Sequence, residues 1–316
     1  REAATRLTSR GRGSARDVEL IRGADDLRRT TASFRAAVSP HATTSSGSDG
    51  SEVGLVPTMG SLHEGHASLI RRARDEASRV VVSIFVNPAQ FSPGDDLRTY
   101  PRDEERDLEV CRRLGVDVVW APGEGEVYPP GAALPEPDPG PVGETFEGAA
   151  RPGHFRGVLK VVHRLFDLTG PCRAYFGEKD AQQLFLVRRM ISEMDLPVTV
   201  VPCPTVREPD GLAYSSRNSR LSTEEREQAG CLFLALSEAA GLSRGGETDA
   251  AVLVAAMGRE IGATPLVRLD YAAVVRDDTF EAITGLGEPA RAIVAARFPS
   301  ARLIDNLRLP EPPDGS

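Results

Sequence analysis

Apolar positions along this chain fall into two alternating patterns. Short β-branched runs, apolar except at Ser83, Asp117 and Thr199, occupy residues 53–56, 80–86, 116–120 and 197–201, and apolar residues at helical spacing mark 66–78, 103–114, 157–168 and 180–194. Strands with no polar face belong to parallel sheets covered on both sides, and alternation with amphipathic helices supplies the crossovers such a sheet needs. Right-handed crossovers then predict a Rossmann-like, doubly wound α/β domain. Upstream, Val18, Ile21, Leu27, Phe34 and Val38 predict a first helix over 18–38, followed by a Ser/Thr/Gly/Asp-rich linker over 41–52. Seven prolines between 129 and 152 predict a long loop.

After about residue 205 the alternation stops. Helices are expected at 223–240 and 248–261, then strands at 266–276, 291–297 and 303–308, an order that suggests a small α+β domain. The expected organisation is an arginine-rich disordered tail over 1–16, a nucleotide-binding and catalytic domain over 17–205, and a C-terminal α+β lid domain over 206–316. The tail carries Arg1, Arg6, Arg10, Arg12 and Arg16 against one acid, Glu2. That composition is also how an organelle transit segment reads.

The 316 residues are 40% hydrophobic and 27% charged, the balance of a soluble globular protein. A net charge of −8 argues against nucleic acid or an anionic membrane as partner, so an anionic substrate requires a local cluster of donors. No apolar run approaches the roughly 18 residues of a spanning helix. Cys111, Cys172, Cys203 and Cys231 stand singly, with no C-x-x-C pair to suggest zinc or redox chemistry, and a reducing cytoplasm is the expected compartment.

The strongest chemical signal is Pro57-Thr58-Met59-Gly60-Ser61-Leu62-His63-Glu64-Gly65-His66, at the end of the first β-run and the start of a helix. Open α/β sheets bind ligands at the carboxyl ends of their strands, and a helix N-terminus presents free N–H groups to phosphate. Two of the chain's five histidines lie here, three residues apart, and Gly60 and Gly65 allow a bulky anion to approach the backbone. Ser61 and Glu64 also fit a capping box. His-Glu-Gly-His is one residue short of the zinc motif H-E-x-x-H.

This string resembles the H-x-G-H signature of the nucleotidylyltransferase superfamily, and in full it resembles the pantothenate synthetase (pantoate–β-alanine ligase) family. Further segments agree in order: Ser83-Ile84-Phe85-Val86-Asn87-Pro88 with Gln90-Phe91, Tyr100-Pro101-Arg102, Arg151-Pro152-Gly153-His154-Phe155, and Phe176-Gly177-Glu178-Lys179-Asp180 with Gln182-Gln183-Leu184. Pro204-Thr205-Val206-Arg207-Glu208, Gly211-Leu212-Ala213 and Ser215-Ser216-Arg217-Asn218 complete the series over about residues 17–310. The resemblance implies ATP-dependent condensation of pantoate with β-alanine through a pantoyl adenylate, releasing pyrophosphate and AMP, in a homodimeric enzyme of pantothenate biosynthesis.

By the same resemblance, Met59, Gly60, Ser61, Leu62, His63, Glu64, Gly65 and His66 line the ATP site, with His66 as proton donor. Gly177, Glu178, Lys179, Asp180, Val206, Tyr214, Ser215, Ser216 and Arg217 complete it, and His63, His66, Lys179 and Arg217 are the catalytic set. Gln90 and Gln183 are implied to bind pantoate, and Gln90 also β-alanine, with Asn87, Arg151 and His154 in support. Mg²⁺ is implied to ride on the phosphates, with no protein ligand assigned, although Asp107 lies where the family places magnesium-associated carboxylates. The family has an aromatic at the position of Ala181 and Met at those of Ala89 and Tyr214, which puts the fit of the pocket walls in question.

Outside the resemblance, Lys179 between two acids also reads as a surface ion pair, and Ser215–Arg217 as a polar turn before a helix capped near Ser222 or Thr223. Two other functions stay open at this level. One is an adenylyltransferase making a different product, and the other a nucleotide-binding protein without catalysis.

Overall fold

The computed structural model describes residues 18–37, 53–91, 97–98 and 100–310. The arginine-rich tail and the 41–52 linker lie outside the described residues. β1 (Glu19–Ile21), β2 (Val53–Thr58), β3 (Arg79–Ile84), β4 (Val118–Trp120), β5 (Cys172–Gly177) and β6 (Val198–Cys203) form one sheet in the order β1-β4-β3-β2-β5-β6, every pair parallel. Helices cover both faces. On one side α1 (Ala24–Ala36), α6 (His154–Thr169) and α7 (Ala181–Glu193) pack Leu27, Leu159 and Leu186 over Leu55, Val81 and Ala174. On the other, α2 (Glu64–Glu76) and α3 (Glu104–Arg113) pack Ile70 and Leu108 over Val56, Val82 and Val119. Burial on both faces is why these strands are largely apolar.

The chain runs outward from β2 through β3 and β4, then returns to add β5 and β6 on β2's other side. β2 is therefore the switch point, where an open α/β sheet leaves its crevice. Pro57 widens it. Thr58 directs both its N–H and C=O toward β3, so Pro57, one residue earlier, turns its donorless nitrogen toward β5. The β2–β5 ladder accordingly consists of Gly54 with Arg173 and Leu55 with Ala174, and the strands diverge beyond it.

Two short helices, α4 (Glu124–Val127) and α5 (Glu147–Ala150), come between β4 and α6 in the chain. A second sheet is antiparallel: β7 (Arg268–Arg276), β8 (Ala290–Arg297) and β9 (Arg302–Arg308), in that order. α8 (Thr223–Gln228), α9 (Cys231–Arg244) and α10 (Ala250–Gly262) precede it, and Leu232, Leu236, Leu253 and Met257 form a core of their own with Val274, Val294 and Leu303. A smaller apolar cluster of Ala181, Val275, Phe280 and Ile293 joins the two sheets, with Phe146, Phe185 and Tyr271 packed on it.

Four expectations are corrected in detail. Where one helix is expected over 18–38, the described residues 18–37 form a strand and a helix, because Glu19–Ile21 pairs in register with Val118–Trp120 and Gly23 then starts α1. The helix expected at 223–240 is broken at Ala229 and Gly230 into α8 and α9. The proline-rich stretch contains a 3₁₀ turn, Pro141–Glu144, and α5. Ser61 and Glu64 make no capping box: the N-cap of α2 is His63, and Ser61 lies two residues earlier at φ +52°.

Candidate active site

The turn after β2 is built around a buried carboxylate. Asp107 of α3, 1% exposed, accepts the Ser61 N–H at 2.8 Å and the Leu62 N–H at 2.7 Å, one on each oxygen. Gly60 (φ +80°) precedes them, and a Cβ there would lie 2.8 Å from Asp107 Oδ2, so the turn needs glycine on both conformational and steric grounds. Burial raises the Asp107 pKa, and the two amides partly offset it. This carboxylate anchors the loop, and Leu62 is buried beneath it.

The loop delivers His63 and His66 to the cleft. Their rings lie 4.1 Å apart centre to centre, and the His63 N–H donates to His66 Nδ1 at 3.3 Å. With Nδ1 accepting, the proton of a neutral His66 ring sits on Nε2, a free donor. Burial, then the cation of Lys179, lowers the His63 pKa to about 4, and burial, then His63, lowers His66 to about 3. Both rings are thus neutral near pH 7 and act as hydrogen-bond donors rather than cations. Among the described residues His63 Nδ1 has no partner, the kind of orphaned buried atom that a ligand satisfies. Tyr214 stacks on His63 at 6.1 Å and 21°.

The positive charge comes from the opposite wall. β5 ends in the turn Glu178–Asp180, which carries Lys179, its ammonium 3.7 Å from Asp180. Burial opposes the charge on Asp180, but Lys179, Arg217, His154 and His66 together outweigh it and lower its pKa. Ser215 caps the turn Ser216–Arg220, accepting the Arg217 N–H at 3.3 Å, and Tyr100 reaches Ser216 Oγ at 3.5 Å.

The far end of the cleft is a polar network on Pro88–Gln90 and α6. Asn87 Oδ1 accepts from the Ala89 N–H at 3.2 Å and the Tyr128 hydroxyl at 2.7 Å, which fixes its amide orientation. Its Nδ2 then donates to Gln90 Oε1 at 3.1 Å and to the Gly157 carbonyl at 3.1 Å. Gln90 is left with its NH₂ beside Met59 Sδ, so it offers donors to whatever enters. His154 accepts from Arg151 at Nε2 (3.1 Å), which puts its proton on Nδ1, donating to the Gln90 carbonyl at 2.8 Å. Burial, then Arg151, lowers its pKa to about 4.

One cleft thus collects Met59, His63, Gly65 and His66 with Gly177, Lys179, Asp180, Val206, Tyr214, Ser215, Ser216 and Arg217. Gln90, Gln183, Asn87, Arg151 and His154 line the same cleft. Gly60, Ser61, Leu62, Glu64 and Glu178 do not line it: Glu64 pairs with Arg71, and Glu178 faces Arg291 at 3.9 Å. Gln182, next to Gln183, instead donates to the Val142 carbonyl at 2.8 Å. Sequence reasoning missed Tyr128, Arg220 and any role for Tyr100. Tyr100 lay in a family-like segment, Tyr100-Pro101-Arg102, while Tyr128 had no local signal beyond its place in a proline-rich stretch. Among the described residues no group of three or more His, Cys, Asp or Glu side chains is placed to hold a metal ion.

Comparison with known proteins points one way. A family model described as pantoate-beta-alanine ligase matches residues 26–308. The pantothenate synthetase of Rubrobacter xylanophilus is 53% identical over 269 residues, covering 83% of this chain and 92% of that protein. That of Gluconobacter oxydans is 47% identical over 280 residues, covering 89% and 98%. Among solved structures, the pantothenate synthetase of Thermus thermophilus superposes with a TM-score of 0.83 at 46% identity, covering 93% of this chain and 100% of that one. The Francisella tularensis pantoate-beta-alanine ligase, complexed with β-γ ATP and β-alanine, superposes with a TM-score of 0.71 at 31% identity, covering 92% and 97%.

Proposed function

The chain belongs to the pantoate–β-alanine ligase family, and from that premise we propose that it forms pantothenate on one ATP through a pantoyl adenylate. In the first half-reaction a pantoate carboxylate oxygen attacks the α-phosphorus. The bond from that phosphorus to the bridging oxygen breaks, and pyrophosphate leaves with the electron pair. In the second, the neutral amine of β-alanine, its ammonium proton already lost to solvent, adds to the acyl carbon and gives up a further proton, which leaves with AMP or to water. The carbon–oxygen bond to AMP then breaks, and pantothenate and AMP leave. Adenylation is needed because a carboxylate oxygen is a poor leaving group and a phosphate ester is a good one.

The observation that carries this reading is that His63, His66, Lys179 and Arg217 share one cleft with Gln90 and Gln183. The charged and donor groups match a triphosphate, and phosphoryl-type displacement depends mainly on positioning and charge stabilisation. His66 enters as a neutral Nε2–H donor; to act as a proton donor its ring would first take up a second proton, which the negative charge of bound phosphate favours by raising its pKa. Lys179 and Arg217 neutralise the charge that develops on the transferring phosphate. The NH₂ of Gln90, its orientation set by Asn87, suits the oxygens of pantoate.

Mg²⁺ bound to the phosphates would neutralise their charge. A cation carried by the nucleotide keeps most of its waters and needs few protein ligands, and Asp107 already accepts a backbone amide on each oxygen. Residues 206–316 are read as a domain covering the nucleotide, which would keep water from the adenylate, and the active form as a cytoplasmic homodimer.

Release of AMP that requires pantoate and β-alanine together tests the reaction. Folded protein that releases none with all three substrates present rules it out. Pyrophosphate exchange dependent on pantoate alone tests the adenylate, and exchange driven by some other acid would favour a different adenylyltransferase.

A further inference from the structure

The antiparallel sheet reaches the catalytic loops through two adjacent residues of β9. Asn306, 5% exposed, donates from Nδ2 to the Glu178 carbonyl at 3.0 Å and the Lys179 carbonyl at 2.8 Å. Its orientation follows from chemistry: Oδ1 meets Arg291 Nη1 at 2.5 Å, and a guanidinium can only donate. Arg291 is itself buried and held by Asp277 at 2.8 Å. Asp305, 4% exposed, receives both terminal nitrogens of Arg207, at 2.5 and 3.0 Å. Arg207 also donates to the Gly211 carbonyl at 3.0 Å and lies 4.2 Å over the Phe233 ring. It bridges to Ala213, one residue before Tyr214 and the Ser215–Arg217 segment.

Neither Asp305 nor Asn306 lines the cleft that holds the paired histidines. Buried, charge-assisted contacts of this kind are weak sources of stability, because desolvation offsets most of the attraction and apolar side chains of similar volume do as well. Their geometry accounts for them better. They tie a separate sheet to the backbone of both segments that supply positive charge to the phosphates.

On the adenylate-forming reading above, we propose that Asp305 and Asn306 are positioning residues. Asn306 holds the Lys179 turn, and Asp305, through Arg207, holds the stretch of chain entering Ser215–Arg217. The C-terminal sheet then moves together with these groups rather than sliding over them.

A double-mutant cycle on the full chain, read by pantoate-dependent pyrophosphate exchange and corrected by active-site titration, tests this. Asn306→Ala is expected to lower kcat about 10-fold while leaving the KM for ATP within about threefold, the pattern of a misplaced transition-state contact. In a Lys179→Ala background the same change should cost less than about twofold, because the group it positions is gone. Asn306→Asp keeps the shape and the Arg291 contact but faces the two carbonyls with acceptors, and should lose at least as much activity as Asn306→Ala. An unchanged kcat, an equal loss in both backgrounds, or a loss explained wholly by the inactive fraction would overturn the proposal. If Asn306→Ala does not fold, Asn306→Asp is put through the same cycle, and failure of both to unfold cooperatively makes the pair structural and also overturns it. Wild-type protein that exchanges no pyrophosphate removes the reading of the reaction and this inference with it, whereas an active wild type with indifferent variants removes the inference alone.

Discussion

His66 and Lys179 line the same cleft, one a neutral donor and the other a cation, so their losses should be of similar size but different kind. His66→Ala and Lys179→Ala are each expected to cut the rate of AMP release by about 10²–10³, the usual scale for removing a charge-stabilising donor. Wild-type rates in either would remove that residue from the mechanism. His154 makes a separate prediction about stability. Its ring titrates near 6.5 when unfolded and near 4 when buried beside Arg151. Between those values the unfolded chain binds more protons, so the ring's contribution is complete above about pH 6.5 and is lost as pH falls toward 4. The gap in unfolding free energy between wild type and His154→Gln should therefore be about 2 kcal/mol smaller at pH 5 than at pH 7.5, measured in urea. A gap that does not change with pH would show that the ring is not held neutral.

At the scale of elements, a tight backbone approach lies where α6 crosses the Pro88–Gln90 turn. A Cβ on Gly157 would sit 2.0 Å from the Ala89 carbonyl oxygen and 2.6 Å from the Gln90 nitrogen, both backbone atoms that cannot swing aside. Gly157→Ala should cost about 1–3 kcal/mol in urea unfolding and raise the KM for pantoate, because the turn that must shift carries Gln90. A KM at the wild-type value with reduced stability would separate packing from substrate fit. Most elements were legible in advance, since burial on both faces leaves a continuous apolar run and helices keep their 3.6-residue period. The failures lie where a local period is too short to read. Edge strand β1 is three residues long, too short to show a period, and it exists because β4 offers a partner. The break between α8 and α9 falls at Ala229 and Gly230, and the cap of α2 at His63, whose N–H donates to His66 three residues on.

For the molecule as a whole, α5 meets the antiparallel sheet at a buried ion pair. Glu147, 6% exposed, takes the Tyr271 hydroxyl at 3.0 Å and Arg302 at 2.8 Å, and Arg302 also reaches Asp270 at 2.6 Å. Burial works against the Glu147 charge, but Arg302 and Tyr271 hold its pKa below the usual carboxylate value. Glu147→Ala strands part of the Arg302 charge and should cost on the order of 3 kcal/mol in urea unfolding, with a loss under about 1 kcal/mol arguing that Asp270 alone suffices. None of this junction was visible beforehand, as its partners come from α5, β7 and β9. The strand–helix alternation and the histidine string were set by sequence alone, because periodicity and a strand-to-helix turn are local properties of neighbouring residues. Which side chains share the cleft, that Asp107 is consumed in holding a loop, and that β9 grips the Lys179 turn were decided only in three dimensions. The Asp107 and Asn306 contacts join residues between 45 and 128 positions apart, and nothing local in the chain records such a meeting.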